Sequence, residues 1–348
     1  MNLVCLVSRQ PMANVFPVLM YKPENVFLLS TQEELLCAKH LQSLFVKKGI
    51  KVFLFDDISA YDQLTLNKRL LSISNNYGAD LFLNITGGTK LMAITAYEFF
   101  REINKPVFYC DTEHKDIIHL LPIRKNEKLK ALLTIKDYFS AYGYTIEDEK
   151  SASLNFPYAE FFVLIEKENI LDEFILFTKS VRERFTESFN KTLHSKNKNF
   201  SFQKTTGKFI LLFRKAKSPI KLVFETKSFL FGDWLEYYVF WKLSLFNPDE
   251  IKIGVKIISE NNIQNEIDLV ILKDYKLILV SCKSGILNAK TENTQLYELE
   301  TLRLITSGTF GKGVAVLSNK PSSTFVKRAE ELKIMLIDDL KNVHEMIC

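Results

Sequence analysis

The residues best suited to chemistry sit on two adjacent apolar runs. Asn265-Glu266-Ile267-Asp268-Leu269-Val270-Ile271-Leu272 is followed, after a turn near Asp274, by Leu277-Ile278-Leu279-Val280-Ser281-Cys282-Lys283. As neighbouring strands these runs bring Asp268 and Lys283, 15 positions apart, to neighbouring places on one sheet. Glu236 precedes them, in Gly232-Asp233-Trp234-Leu235-Glu236 at the start of an amphipathic helix. Hydrolysis of a phosphodiester needs a carboxylate-held divalent metal to activate water, and a cation near the attacking water or the scissile phosphate. An Asp, a second acid and a Lys supply those parts. Many hairpins carry Asp and Lys at this spacing without any site. Here, however, Asp268 interrupts an otherwise apolar strand, and a charge in that setting needs a partner.

A second group is Asn84-Ile85-Thr86-Gly87-Gly88-Thr89-Lys90-Leu91-Met92-Ala93. A strand that ends in Thr-Gly-Gly-Thr and opens a helix lets backbone amides approach a phosphate, with hydroxyls and Lys90 completing an anion cradle. It is neither a Walker A motif nor GxGxxG, and such a turn also serves as a plain helix start. A third feature is electrostatic. From Lys191 to Lys221 there are nine Lys/Arg and no Asp or Glu, whereas residues 1–124 carry 13 basic and 12 acidic residues and 226–348 carry 15 and 16. Such an island is a candidate polyanion footprint, with Lys204, Lys208, Arg214, Lys215 and Lys217 as its contacts. The plainer alternative is a solvated hairpin edge.

These groups need elements to hold them. Residues 1–124 alternate short apolar runs with helical stretches, which predicts a parallel, doubly wound sheet of at least five strands. Ligands of such sheets sit at the carboxyl ends of strands, so Ser8, Gln10, Ser30, Thr31 and the stretch Thr86 to Lys90 are binding candidates. Residues 125–221 form a helical or winged connector: a helix is expected from Lys125 onward, longer helices from Tyr158 to Thr192, and a small antiparallel meander after the island. Residues 222–348 return to an α/β pattern. With 47% hydrophobic residues and 28 Phe in 348 positions, the chain can bury real cores. No apolar run approaches membrane-spanning length and no secretory segment opens the chain, which predicts a cytoplasmic protein. Five cysteines without a CxxC pair argue against a disulfide framework or a structural zinc. His40, His114, His119, His194 and His344 make no metal-binding pair, and Trp234 and Trp241 read as packing residues.

The hairpin resembles the PD-(D/E)xK nuclease superfamily over roughly residues 222–320. On that resemblance Asp268 is the central metal ligand, Lys283 the catalytic lysine, Glu236 the helix acid and the Cys282 carbonyl a further ligand. Ser281 stands where the superfamily has its second strand acid, giving SxK; some members supply the missing carboxylate from the next helix, where Glu298 is best spaced. The first 124 residues resemble the CRISPR-associated Rossmann fold (CARF) domain, most specifically in NITGGTKLMA, which implies that Asn84, Thr86, Gly87, Gly88, Thr89 and Lys90 contact a cyclic oligoadenylate. The order CARF sensor, connector, nuclease is similar to a family of cyclic-oligoadenylate-activated CRISPR ancillary nucleases. It implies a homodimer that binds cyclic tetra-adenylate, or the hexa-adenylate, and cuts single-stranded RNA, DNA or both with manganese or magnesium. Two alternatives remain open: a catalytically inactive effector, motivated by Ser281, and a stand-alone DNA restriction or repair nuclease.

Overall fold

The computed structural model describes residues 1–150, 157–186, 191–215, 219–285 and 289–347. The chain divides into two compact units. One comprises Met1–Ile146, Ile258–Gln264 and Leu304–Gly311, the other Glu147–Ile257, Asn265–Arg303 and Lys312–Cys348.

The first unit runs β1 (Asn2–Leu6), α1 (Met12–Tyr21), β2 (Asn25–Leu29), α2 (Leu35–Lys47), β3 (Lys51–Phe55), α3 (Gln63–Tyr77), β4 (Leu81–Asn84), α4 (Lys90–Glu102), β5 (Val107–Asp111), β6 (Asp116–Leu121), β7 (Lys125–Lys128) and α5 (Ile135–Ala141). Its sheet has the order β3-β2-β1-β4-β5-β6-β7. The strands from β3 to β5 are parallel, and β6 and β7 close the edge antiparallel. Because helices cover both faces, β1 and β2 read as unbroken apolar runs and are almost wholly buried. Strand order reverses between β1 and β4, which opens a crevice at their carboxyl ends.

One detail differs from expectation. Residues 125–128 form a strand instead of a helix: Lys128 pairs with Asp116 across the hairpin at 2.7 Å, and the helix starts only at Ile135. Its start is fixed locally by a capping box, in which Thr134 accepts from the Asp137 N–H and the Asp137 carboxylate accepts from the Thr134 N–H.

The remaining elements are β8 (Tyr144–Lys150), α6 (Pro157–Lys167), α7 (Leu171–Arg184), β9 (Thr192–His194), β10 (Phe200–Thr205), β11 (Lys208–Phe213), β12 (Ile220–Phe224), α8 (Trp234–Ser244), β13 (Glu250–Ser259), β14 (Gln264–Lys273), β15 (Lys276–Lys283), α9 (Ala289–Ser307), β16 (Lys312–Leu317), α10 (Ser323–Glu331) and β17 (Met335–Ile337). A four-stranded antiparallel sheet has the order β12-β11-β10-β9, and a six-stranded mixed sheet the order β17-β16-β15-β14-β13-β8. One phenylalanine-rich core runs from α6 and α7 (Phe161, Phe174) through the meander (Phe200, Phe213) to Trp234 of α8 and to Leu269, Val280 and Val314 of the mixed sheet. Helices α6 and α7, the antiparallel sheet and the mixed sheet therefore share one core. Trp234 and Trp241 belong to that core, as the sequence implied. Among the described residues no helix is long and apolar enough to cross a membrane.

Candidate active site and ligand-binding turn

Strands β14 and β15 pair antiparallel, with Leu269 opposite Val280. Continuing that register sets Asp268 across from Ser281, on the face opposite buried Ile267 and Leu269. The Asp268 Oδ2 atom collects three donors: the Cys282 N–H at 2.7 Å, Lys283 Nζ at 3.3 Å and the Ser281 hydroxyl at 3.4 Å. A tight hairpin thus assembles Asp268, Ser281 and Lys283 from local sequence alone. Cys282 turns its thiol into the core, where burial, and then the charges of Asp268 and Glu236, push the thiol pKa well up.

Glu236 lies in the first turn of α8 and is held by a residue the sequence did not single out. Lys150, at the end of β8, donates to its carboxylate at 2.8 Å. Burial raises the Glu236 pKa to about 7; Lys150 opposes that, and the charge of Asp268 adds to it. Lys150 itself is held above its usual range: burial is the largest single influence and lowers it, but the bond to Glu236, the charge of Glu236 and the nearby charge of Asp233 together outweigh burial. The one sequence signal for this pairing was Gly254 inside β13. Its φ is +57°, and a Cβ there would come 2.5 Å from Lys150 Cδ. An isolated strand glycine marks a close approach, here that of the Lys150 side chain.

Beside Asp268 opens a cavity of about 90 Å³ lined by Glu266, Asp268, Ser281, Lys283, Gln295 and Glu298, among others. The hairpin and α9 therefore bring Glu298 to the site proposed for it. Glu266 and Gln295 join it: Glu266 shares Asp268's face at a spacing of two, and Gln295 precedes Glu298 by one helical turn. Gln295 Oε1 is buried and has no hydrogen-bond partner among the described residues. Three carboxylates and an orphan amide oxygen are hard oxygen donors, a chemistry that fits Mg²⁺ or Mn²⁺. Among the described residues no three of His, Cys, Asp and Glu stand close enough to form a finished metal cage. Glu236 is engaged with Lys150, and Glu266 and Glu298 are exposed at the rim.

In the first unit the Thr86–Lys90 turn lies at the reversal of strand order. Gly87 is required there, since a Cβ would fall 2.0 Å from the Leu6 carbonyl oxygen at the end of β1; Gly88 has φ +70°. Thr89 caps α4, its Oγ1 accepting from the Met92 N–H at 3.2 Å and donating to the Ala60 carbonyl at 3.1 Å. Lys90 is exposed. Asn84 is fully buried, and its amide donates to the Ala13 carbonyl and Asn14 Oδ1, while its Oδ1 accepts from the Thr86 hydroxyl at 2.5 Å. Thr86 Oγ1 also accepts the Cys110 N–H. Asn84 and Thr86 therefore brace the turn from below. Ser30 and Thr31 are buried, whereas Ser8 and Gln10 are partly exposed.

The basic island is split by the fold. Lys208, the first residue of β11, and Arg214, just past its end, are exposed. Lys204 Nζ lies 5.6 Å over the Phe185 ring, and Lys215 pairs with Glu168 at 3.4 Å. Lys217 lies outside the described residues.

A doubly wound sheet with a glycine turn at its reversal, followed by a mixed sheet with Asp and Lys on adjacent strands, defines a CARF-plus-nuclease class of protein. Residues 2–138 match the family model of the Card1 CARF domain and residues 224–347 that of the Card1-like endonuclease domain, so the chain belongs to the Card1-type family in both parts. Solved structures agree in fold. Can2 from Sulfobacillus thermosulfidooxidans, in complex with cyclic tetra-adenylate, is 21% identical with a TM-score of 0.76, over 99% of this chain and 97% of that one. Protein VC1899 from Vibrio cholerae is 17% identical with a TM-score of 0.74, over 99% and 95%. A type III CRISPR defence DNA nuclease activated by cyclic oligoadenylate is 18% identical with a TM-score of 0.61; the match covers 93% of this chain and 47% of that one. No curated protein matches the sequence.

Proposed function

We propose that this protein is a metal-dependent endonuclease, switched on by a cyclic oligoadenylate, that cleaves single-stranded RNA, DNA or both as a homodimer in type III CRISPR defence. The observation that carries the reading is the convergence of Lys283, the Cys282 N–H and the Ser281 hydroxyl on one oxygen of Asp268, beside a cavity rimmed by Glu266 and Glu298. The family membership of both parts supports it, as does the cyclic tetra-adenylate held by Can2.

Asp268, Glu298 and Glu266, with Gln295 Oε1 and the Cys282 carbonyl, would hold Mn²⁺ or Mg²⁺. Such an ion supplies a bound water of lowered pKa and neutralises charge on the phosphoryl oxygens. The chain's own groups do the rest. The Cys282 N–H fixes the carboxylate of Asp268. Lys283 Nζ donates toward the attacking water and the charge that builds on the phosphate. Lys150 keeps Glu236 turned toward the site. In the other part, the amides of Gly87 and Gly88, with Thr89 and Lys90, take the ribose-phosphate ring of the activator, and Ser8 and Gln10 face it across the crevice. Lys208 and Arg214 guide the strand's backbone.

Ser281, standing where a carboxylate would serve the metal, favours a second reading, an effector that binds both nucleotides without cutting. Labelled single strands incubated with Mn²⁺ or Mg²⁺, with and without cyclic tetra- or hexa-adenylate, separate the cases. Cleavage that needs both metal and activator supports the proposal. Activator binding without cleavage supports the inactive effector, and cleavage without activator a stand-alone nuclease.

A further inference from the structure

Arg182, on α7, reaches across to the residue that follows Lys283. Its Nη1 donates to Ser284 Oγ at 2.8 Å and its Nη2 to the Ser284 carbonyl at 2.7 Å. Nη1 also lies 3.5 Å from the Phe231 carbonyl, in the turn that leads into the helix of Glu236. Ser284 is buried, and its carbonyl additionally accepts from Ser318 Oγ at 3.0 Å and Asn319 Nδ2 at 3.3 Å. The Lys283 carbonyl accepts the Ser318 N–H at 3.1 Å.

The charge on this guanidinium is hard to explain by packing. It is about half-buried, burial lowers its pKa, and its hydrogen-bond partners among the described residues are two carbonyls and a hydroxyl, with no carboxylate. An apolar side chain would fill the same space at lower desolvation cost. What arginine alone offers is a rigid planar fork that grips the hydroxyl and the carbonyl of one residue together. That residue is joined directly to Lys283, and the third contact touches the segment that launches Glu236.

We propose that Arg182 is a positioning residue for phosphodiester cleavage: gripping Ser284, it fixes the end of β15 and so holds Lys283 Nζ against Asp268. The inference rests on the reading of Asp268 and Lys283 as the cleavage site. Misplacing a catalytic group by about 1 Å lowers a rate by roughly 100-fold, so loosening this end should be felt in kcat.

The test measures metal- and activator-dependent cleavage by wild type, Arg182→Ala, Arg182→Lys and Ser284→Ala, with KM, kcat, activator affinity and melting temperature for each. Arg182→Ala should lower kcat roughly 10- to 100-fold, with KM for the strand and activator affinity within about twofold. Arg182→Lys should recover little, because an ammonium does not span both acceptors. Low-millimolar guanidinium should restore part of the rate to Arg182→Ala and none to Ser284→Ala. Should Arg182→Ala fail to fold, Ser284→Ala, which removes one acceptor, carries the test and should lower kcat several-fold at an unchanged melting temperature. Wild-type kcat in Arg182→Ala, or in Ser284→Ala where the former is unfolded, overturns the inference. So does a raised KM at unchanged kcat, which would place Arg182 on the strand itself. Absence of cleavage by the wild type would instead overturn the reading beneath it, and the inference with it.

Discussion

Glu236→Gln should stabilise the metal-free protein above neutral pH while lowering cleavage. Glu236 is 14% exposed, and burial, with Asp268 beside it, raises its pKa from 4.5 to about 7. For a group raised in the fold, stability is fully present below the unfolded pKa and is lost as pH rises through the folded one, here between about 4.5 and 7. At 1.36 kcal/mol per pH unit, that interval costs the folded state about 3 kcal/mol above pH 7. Glutamine removes this cost. The raised pKa already includes the opposing bond from Lys150, and the glutamine amide oxygen still accepts from Nζ, so the net gain at pH 8.5 should approach that figure, about 2–3 kcal/mol. At pH 5, where Glu236 is already mostly protonated in the fold, the gain should vanish or turn into a small loss. Urea midpoints of wild type and variant, in chelator at both pH values, measure the difference. A variant less stable than wild type at pH 8.5, or a difference that does not change with pH, would refute the assignment of burial as the dominant influence on Glu236.

Four further outcomes are expected. Lys90→Ala should weaken activator binding by about 1.5–3 kcal/mol, and Gly87→Ala, which drives a Cβ onto the Leu6 carbonyl, should cost about 2 kcal/mol or more in stability and lower that affinity further; calorimetry and melting curves read both. Asp268→Ala and Lys283→Ala should each abolish cleavage with activator affinity unchanged, whereas Glu298→Ala should raise the manganese requirement and Ser281→Glu should partly reverse it; normal cutting by Glu298→Ala at the same metal concentration removes Glu298 from the site. Replacing Lys208 and Arg214 together by glutamine should weaken strand binding and flatten its dependence on log salt by up to about 2 units of slope, and an unaltered slope returns the island to a solvated edge. Finally, Cys5, Cys37, Cys110 and Cys282, all held well above their usual thiol range chiefly by burial, should resist a thiol probe at pH 8 until the protein is unfolded, as mass spectrometry of the labelled peptides would show.

The parts of this protein that could be read from sequence are those whose geometry is local. A hairpin places Asp268, Ser281 and Lys283 side by side because strand periodicity and a short turn leave one register that buries Ile267 and Leu269. The glycine turn after β4 was legible for a similar reason, since a tight approach and a positive φ admit little besides glycine, and the threonine that follows is a helix cap. Alternation of short apolar runs with helices gave the parallel sheet. Where two local tendencies competed, pattern alone failed: residues 125–128 carry charges compatible with a helix, yet pairing with β6 and the Lys128–Asp116 contact make them a strand. Only tertiary structure decided which charges meet. Lys150 reaches Glu236 over 86 positions and Arg182 reaches Ser284 over 102, and neither pair leaves a periodic trace in the sequence. Lys215 was read as a free contact for nucleic acid and is paired with Glu168. Long flexible side chains can join any partner the fold delivers within a few ångströms, so their pairing is set by how the strands and helices pack, and spacing along the chain carries no record of it.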